Sequence, residues 1–271
     1  MTQRVRSALA ASGLIPAEGR LLLAHVLDRD RTWLIAHADD ALTTAQAKAF
    51  ETLARRRHNG EPIAYLIGRR EFYGLDLEVS PDVLIPRPET ELLVELALDK
   101  IDQREAVHVL DLGTGSGAIA LAIGRHRPHC SVLGVDASAP ALALADRNAK
   151  RLGIGNAAFI ESDWFDRIPR EAFAVIVSNP PYVARDDVHL AQGDLRFEPR
   201  SALEGGVDGL AAIRRILAGA AGYLAPAGWL FIEHGYNQAE SVQALFQDAG
   251  YGGVESRRDL AGIPRVTFGQ R

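Results

Sequence analysis

The chain has 271 residues, of which 47% are hydrophobic and 24% charged, and its formal net charge at pH 7 is -5. This length suits one large α/β domain with a small accessory domain, and the composition is typical of an ordinary globular protein. The apolar runs fall short of the roughly 18 residues that cross a bilayer, no secretory signal is recognisable, and a net negative charge does not attract a phosphate backbone. The sequence therefore predicts a cytoplasmic protein without a membrane span and disfavours nucleic acid as its main partner.

Thiol and imidazole side chains do not follow a metal-binding pattern. Cys130 is the single cysteine, so it cannot form an internal disulfide, and the neighbouring His126 and His129 have no further thiols to complete a zinc site. The other histidines are scattered, and no pair has the i, i+4 spacing of a helical metal site. We therefore predict that the protein binds no metal.

Residues 1–66 predict a small helical domain. Apolar residues recur there at helical spacing, Pro16 suits a first helical position, and Gly60 follows a helical segment over residues 44–58. Residues 1–75 hold eleven Lys and Arg against eight Asp and Glu, so this part of the chain is basic although the whole is acidic. Its charge is opposite to that of the remainder.

A hairpin linker is predicted over residues 67–87. Residues 71–80 alternate weakly between apolar and polar, and residues 83–85 are apolar and β-branched in part, which favours a hairpin within residues 71–86. Pro88 then suits the start of a helix.

From residue 105 onward, short apolar strands alternate with helical segments, which is typical of a doubly wound parallel sheet. Strands are predicted over residues 107–112, 131–135, 157–161 and 173–177, with helices over 116–124 and 140–152. A strand over 229–233, a helix over 237–249 and strands near Val254 and Val266 follow. The short connection over residues 262–264 fits an antiparallel final strand.

A glycine-rich turn between the first strand of this sheet and the following helix predicts a ligand site at the strand's carboxyl end. The turn consists of Gly113, Thr114, Gly115, Ser116 and Gly117. Glycines allow close approach of the backbone, and Asp111 before them can accept hydrogen bonds from a ligand ammonium group. Asp136 ends the next strand and can accept both hydroxyls of a ribose. The two carboxylates fit an adenosyl ligand with an amino-acid tail, as in S-adenosyl-L-methionine.

The same turn also matches the dinucleotide-binding fingerprint, because Gly113, Gly115 and Ala118 follow the G-x-G-x-x-A pattern. The motif alone is therefore ambiguous. A methyl donor is favoured over a dinucleotide, since the negative charge of Asp111 would lie close to a pyrophosphate but pairs well with a methionine ammonium.

Two side chains after the third strand suit an adenine ring. Asp163 can accept a hydrogen bond from the adenine amino group. The Trp164 indole can cover the ring, although a tryptophan that fills the core fits the same pattern. Both are candidate donor-binding residues.

The fourth strand stops at Asn179-Pro180-Pro181-Tyr182. Two prolines cannot continue a central strand, and they hold the backbone rigidly, so the Asn179 side-chain oxygen and the Pro180 carbonyl can both point into a pocket as acceptors. Tyr182 supplies an apolar face. Two acceptors match one planar NH2 group, which is a poor nucleophile that hydrogen bonds can orient toward a sulfonium methyl. The predicted catalytic and substrate-binding residues are therefore Asn179, Pro180, Pro181 and Tyr182.

With this motif the sequence closely resembles the bacterial release factor glutamine methyltransferases, the HemK/PrmC family, which methylate the glutamine of the Gly-Gly-Gln loop in class I peptide chain release factors. The resemblance covers nearly the whole chain and includes residues 60–68, 71–74, 84–91 and 198–203. It implies a class I, Rossmann-like methyltransferase domain with a seven-stranded sheet over residues 88–271. The hairpin over residues 67–87 would join it to a helical, substrate-docking domain over residues 1–66.

The resemblance also implies which residues bind each partner. S-adenosyl-L-methionine would contact residues 113–117, Asp136, Trp164 and Asn179. The substrate glutamine would be held by residues 179–182. Arg87 and Glu89 would border the donor pocket, although a helix start with Pro88 at its first position explains them equally well.

Three alternatives remain open. Ribosomal-protein glutamine methyltransferases share the Asn-Pro-Pro-Tyr motif but differ around residues 85–91. Nucleic-acid adenine-N6 methyltransferases use the same motif on a similar NH2 group, but the acidic catalytic part and the lack of a basic, aromatic-rich segment count against them. A non-catalytic S-adenosylmethionine sensor or ribosome-associated binding module would fit if Asn179 or Pro180 were replaced, and neither is.

Overall fold

The structure, a computed structural model, describes residues 3–104, 106–170 and 172–271. These residues form two compact units. The smaller unit comprises the chain up to Arg69 together with Gly193–Phe197, and the larger comprises Arg70–Gln192 and Glu198–Arg271. The functional domain boundaries at residues 66 and 87 stay predictions.

The smaller unit is helical, as its apolar spacing predicts. Its helices are α1 (Val5–Ala11), α2 (Pro16–Leu27), α3 (Arg31–Ala36), α4 (Thr44–His58) and α5 (Ile63–Ile67). Pro16 begins α2, and α4 covers the predicted residues. Thr43 caps α4, because its hydroxyl accepts from the Gln46 N–H while the Gln46 side chain accepts from the Thr43 N–H. The buried core of this unit includes Val5, Leu22, Leu23, Leu34, Phe50 and Leu66.

Gly193–Phe197 joins the helical unit through polar contacts at the end of α4. The Arg57 guanidinium donates to the Asp194 carboxylate at 3.0 Å, and Arg196 donates to the Asn59 carbonyl at 2.5 Å. A linear reading of the sequence assigns these residues to the methyltransferase domain, because contacts between residues 137 apart leave no local signal.

The linker hairpin consists of β1 (Arg69–Phe72) and β2 (Leu75–Glu78). Its two-residue turn has positive φ at Tyr73 (49°) and Gly74 (75°), as primed hairpin turns require. Residues 83–85, whose apolar pattern favoured a strand, are not in one. The Ile85 N–H instead donates to Glu198 Oε2 at 3.2 Å, a contact between residues 113 apart that the local pattern does not contain.

A seven-stranded sheet organises the larger unit. Its strands are β3 (His108–Leu112), β4 (Ser131–Asp136), β5 (Ala157–Glu161), β6 (Phe173–Ser178), β7 (Leu224–Glu233), β8 (Gly252–Arg258) and β9 (Pro264–Gln270). The strand order is β5-β4-β3-β6-β7-β9-β8. The first five strands in this order are parallel, and β9 runs antiparallel to both β7 and β8. The predicted sheet and its antiparallel final strand are confirmed.

Helices cover both faces of this sheet. They are α6 (Glu91–Asp99), α7 (Ala118–His126), α8 (Ala139–Leu152), α9 (Ala211–Ala220) and α10 (Ala239–Asp248). On β3, Val109 packs in the cluster that contains α6 and α7, and Leu110 packs in the cluster that contains α9 and α10. Successive strand residues point to opposite faces, so the two clusters lie on the two sides of the sheet.

The centre of the sheet is the point where the chain reverses its direction of winding. The two neighbours of β3 are β4 on one side and β6 on the other, so the strand order switches at β3. Ligands of doubly wound folds bind beyond the carboxyl ends of the strands at this switch point. The fold therefore places the glycine turn after β3 and the Asn-Pro-Pro-Tyr motif after β6 beside each other.

No helix within residues 3–104, 106–170 and 172–271 is long and apolar enough to cross a membrane. In the same part of the chain, no group of three or more His, Cys, Asp or Glu side chains could hold a metal ion. The single cysteine, Cys130, is buried.

Candidate active site

A cavity of about 630 Å³ lies at the carboxyl ends of the central strands. Its volume is within the range of small-molecule sites, and its wall includes most of the residues predicted from the sequence. Those in the wall are Gly113, Thr114, Gly115, Ser116, Asp136, Asp163, Trp164, Asn179 and Pro181. Asp111, Gly117, Pro180 and Tyr182 are not part of the wall.

Asp111 is fully buried beneath the glycine turn. Its Oδ2 accepts from the Thr114 hydroxyl at 2.6 Å and from the Ala120 N–H at 3.2 Å, so this oxygen holds the turn to the start of α7. Its Oδ1 has no hydrogen-bond partner in the described part of the chain, and burial raises the pKa of Asp111 to about 7. A buried carboxylate with an unused oxygen fits a cationic ligand group nearby.

The three glycines of the turn all have positive φ, with values of 74° at Gly113, 54° at Gly115 and 82° at Gly117. A Cβ at Gly117 would lie 3.1 Å from the Ala145 Cβ, so this glycine permits close packing of the turn on α8. Gly117 was predicted as a donor contact, but the structure gives it a packing role outside the cavity wall.

The Asp136 carboxylate is fixed at the end of β4. Its Oδ2 accepts from the Gly115 N–H and its Oδ1 from the Ser138 N–H, each at 2.9 Å. Each carboxylate oxygen retains a further lone pair, and the residue lines the cavity. This geometry fits the predicted bonds to two neighbouring ribose hydroxyls.

Asp163 and Trp164 lie in the cavity wall after β5. Both Asp163 oxygens accept from Arg215 on α9, at 2.9 and 2.8 Å, so this carboxylate is already engaged by a cation. Trp164 has φ of 54°, which a bulky residue adopts only where its surroundings hold it. Its ring lies 4.0 Å from the point where a Cβ on Gly113 would be, so the indole borders the glycine turn.

The Asn179 amide is oriented by a neighbouring hydroxyl. Its Nδ2 donates to Thr90 Oγ1 at 3.1 Å, whereas its buried Oδ1 has no hydrogen-bond partner among the described residues. The amide of Asn179 therefore offers its acceptor atom. The second predicted acceptor, the Pro180 carbonyl, belongs to a buried residue, and its role stays a prediction.

Tyr182 is held at both its side chain and its backbone. Its hydroxyl donates to Glu233 Oε1 at 3.2 Å, and its carbonyl accepts from Gln238 Nε2 at 3.0 Å. Burial, first of all, raises the pKa of the Tyr182 hydroxyl, so this group is a hydrogen-bond donor and not a base. Glu233 at the carboxyl end of β7 and Gln238 after it thus hold the motif in place, in addition to its own two prolines.

The Arg87 side chain borders the cavity and forms an ion pair with Glu198, whose side chain is buried. Glu89, which was also predicted to border the pocket, is exposed and is not part of the cavity wall. The 3-10 turn Pro88–Thr90 points Thr90 inward instead, since Thr90 is only 4% exposed. Thr90 had no predicted role, because a threonine in a helix start carries no chemical signature.

Glu233 and Gln238 are the other site residues that the sequence did not reveal. A charged residue directly after the apolar run of β7 is the one signal that could have identified Glu233. Gln238 has no such signal, because its contact with Tyr182 joins residues 56 apart.

Comparison with known proteins agrees with this geometry. Residues 1–68 match the family described as PrmC N-terminal domain, and residues 89–196 match the methyltransferase small domain. The chain is 52% identical to a release factor glutamine methyltransferase of Bordetella pertussis over 98% of both chains. It is 46% identical to the one of Escherichia coli K12, over 97% of this chain and 95% of the relative.

A solved structure shows the same fold at low sequence identity. The 16S rRNA N2 G1207 methyltransferase of T. thermophilus, in complex with AdoMet and guanosine, has a TM-score of 0.55 and 20% identity. The match covers 75% of this chain and 49% of that one, and at this identity it speaks for the fold alone.

The sheet order, the glycine turn and the match with the methyltransferase small domain define a class I methyltransferase, whose methyl donor is S-adenosyl-L-methionine. Within that class, the identity over nearly the whole chain decides the family. The chain belongs to the release factor glutamine methyltransferases.

Proposed function

We propose that this enzyme methylates the side-chain amide nitrogen of the glutamine in the Gly-Gly-Gln motif of class I peptide chain release factors. The observation that carries the proposal is the buried Asn179 Oδ1, an acceptor without a partner in the described structure, on a residue in the wall of a cavity that suits a methyl donor. Relatives named release factor glutamine methyltransferases support the choice of substrate. Because translation takes place in the cytoplasm, we place the enzyme there.

The donor side of the cavity has the groups that S-adenosyl-L-methionine requires. Asp136 would accept from the ribose hydroxyls, and the buried Asp111 would complement the methionine ammonium through its unused Oδ1. Trp164 would cover one side of the adenine. When bound, the donor supplies a methyl group on a positively charged sulfur, which is the electrophile of the reaction.

The acceptor side must orient a weak nucleophile. An amide nitrogen shares its lone pair with the carbonyl, so the reaction depends on placing that nitrogen in line with the methyl group. Asn179 Oδ1 and the Pro180 carbonyl would accept the two N–H groups of the glutamine amide. A methylated amide nitrogen that still carries both protons is a strong acid, so one proton can leave to water without a dedicated base.

The helical unit is the proposed docking surface for the body of the release factor. It corresponds to the match with the PrmC N-terminal domain, and it is the basic part of an acidic chain. A release factor docked on a separate unit would gain affinity without changing the chemistry at its glutamine.

The test uses tritiated donor with purified release factor, ribosomal protein or DNA as acceptor. We expect label on the release factor, loss of label when its glutamine is replaced by Glu or Asn, and weak labelling of an isolated loop peptide. Glutamate lacks both N–H groups, and asparagine is one methylene shorter, so neither fits the two acceptors and the methyl group together.

Each arm of this test can contradict a different part of the proposal. Label on the Glu variant would contradict the amide chemistry. Equal rates on peptide and intact factor would contradict the docking role of the helical unit. Label on ribosomal protein or DNA alone would establish the alternative substrate.

A further inference from the structure

Glu233 is the most deeply buried carboxylate near the acceptor motif. It ends β7, is 1% exposed, and accepts from the Tyr182 hydroxyl through Oε1. Its Oε2 has no hydrogen-bond partner in the part of the chain that the structure describes. An incompletely bonded buried carboxylate destabilises a fold, so packing alone does not explain it.

Tyr182 links this carboxylate to the acceptor motif. The Tyr182 hydroxyl donates to Glu233 Oε1 at 3.2 Å. Tyr182 is the last residue of the Asn-Pro-Pro-Tyr motif, and the first residue, Asn179, lines the cavity with an unused buried Oδ1. The contact therefore joins the end of β7 to the segment that carries Asn179.

The segment after Glu233 supports the motif from a second direction. Gln238 Oε1 accepts from the Gly235 N–H at 2.8 Å, and its Nε2 donates to the Tyr182 carbonyl at 3.0 Å. Glu233 and Gln238 thus hold the side chain and the main chain of the same tyrosine.

Resting on the function proposed above, we infer that Glu233 is a positioning residue for methyl transfer. Its ionised carboxylate accepts from the Tyr182 hydroxyl, and this bond fixes the Tyr182 end of the motif that presents Asn179 Oδ1 to the substrate amide. A protonated Glu233 is a weaker acceptor, so the bond to Tyr182 weakens and the motif is held less firmly.

The surroundings bring this ionisation close to neutral pH. Burial raises the pKa of Glu233 to about 7, while the Thr90 and Tyr182 hydroxyls and the charge of Arg265 on β9 oppose the increase. The negative charge of Glu89 adds to the increase. A pKa raised in the folded state means that Glu233 stabilises the fold when protonated and loses this contribution as the pH rises through about 7. The enzyme retains the group although its ionised form destabilises the fold.

The experiment measures kcat on intact release factor at saturating donor between pH 6 and 9. The variants are Glu233→Gln, Tyr182→Phe and the double variant, with Glu240→Gln as the matched control because Glu240 is exposed on α10. We expect wild-type kcat to rise with pH through about 7. Glu233→Gln should lower kcat about tenfold at pH 8, remove that rise and leave donor affinity unchanged, since one positioning hydrogen bond is lost.

The double variant separates positioning from mere stability. If Glu233 acts through Tyr182, the two substitutions are not additive, and the double variant is no slower than the slower single one. Tyr182→Phe removes the same hydrogen bond from the other side, so it also tests the role if Glu233→Gln folds poorly. Saturating donor excludes a contribution from Asp111, whose titration would act on donor affinity.

Wild-type kcat with an unchanged pH rise in Glu233→Gln, or fully additive effects in the double variant, would overturn the role of Glu233 and leave the proposed function intact. A wild-type enzyme that labels no release factor would overturn the proposed function, and the positioning role with it.

Discussion

The two sides of the cavity differ in how far apart along the chain their contacts lie. On the donor side, Gly115 and Asp136 are 21 residues apart. On the acceptor side, Asn179 contacts Thr90 from 89 residues away, and Tyr182 contacts Glu233 at the end of β7 from 51 residues away. The glycine turn and Asp136 thus belong to one strand-turn-helix-strand unit, whereas the acceptor side is assembled only when the whole sheet has formed.

The two sides also differ in how many hydrogen bonds their side-chain oxygens accept within the protein. The half-buried carboxylate of Asp136, on the donor side, already accepts from two backbone N–H groups. The Asn179 Oδ1 of the acceptor side receives none in the described structure. We therefore expect substitutions on the donor side to change donor affinity, and substitutions on the acceptor side to change turnover.

The largest effect is expected from Asn179→Ala, which tests the acceptor side. It removes the acceptor that positions the reacting nitrogen, so kcat should fall roughly 100-fold or more with the fold intact. Asn237→Ala is the matched control, because Asn237 is exposed after β7. Turnover is measured with release factor at saturating donor, and near-normal turnover of Asn179→Ala would refute the assignment of the motif.

The donor side is tested by Asp136→Ala. Loss of charge-assisted bonds to the ribose should weaken donor binding by about 1.5 to 3 kcal/mol. The upper end is expected, because the substitution also removes the acceptor that holds the Gly115 N–H in the turn. Calorimetry of donor binding provides the measurement, and an unchanged dissociation constant would contradict the assignment of Asp136.

The same division explains what the sequence could predict. The alternation of strands and helices located the sheet, and the short final connection indicated an antiparallel last strand, because both are local patterns. The roles of Gly115 and Asp136 could be predicted for the same reason. The helix α9 was not predicted, although Ile213, Ile216 and Leu217 have the spacing of a buried helical face.

Long-range contacts account for what the sequence did not show. The engagement of Asp163 by Arg215 and the packing of Gly117 against Ala145 depend on helices that come together only in the folded sheet. The strand expected at residues 83–85 is replaced by a loop that a distant carboxylate, Glu198, holds in place. None of these pairings has a periodicity or a spacing that can be read along the chain.

A smaller effect is expected from Thr90→Val, which tests how Asn179 is oriented. The substitution keeps the shape of the side chain but removes the hydroxyl that accepts from Asn179 Nδ2. We expect kcat to fall about tenfold and donor affinity to stay the same, since a single positioning hydrogen bond is lost. Thr90→Ser should restore turnover, and a Ser variant as slow as the Val variant would show that the methyl group matters instead.

The smallest expected effect concerns Asp111, the one donor-side residue that also has an unused buried oxygen. Burial raises the pKa of Asp111 to about 7 from the ordinary 3.8. A carboxyl with a raised pKa stabilises the fold fully below pH 4 or so and loses that contribution as the pH rises through about 7. Asp111→Asn keeps the shape and cannot ionise, so its gain in stability relative to wild type should be larger at pH 8 than at pH 5.

The expected gain is on the order of 1 kcal/mol, measured as the difference in unfolding free energy between variant and wild type at the two pH values. Glu233 is unchanged in both proteins and cancels from this difference. Donor added at pH 8 should reverse the order of stability, because a cationic ligand group stabilises only the ionised carboxylate of the wild type. The same difference at pH 5 and pH 8 would mean that Asp111 is ionised at both, and its buried oxygen would then need a partner other than the donor. A pH-dependent difference that donor does not reverse would place the ammonium group elsewhere in the cavity and leave Asp111 only its contact with the turn.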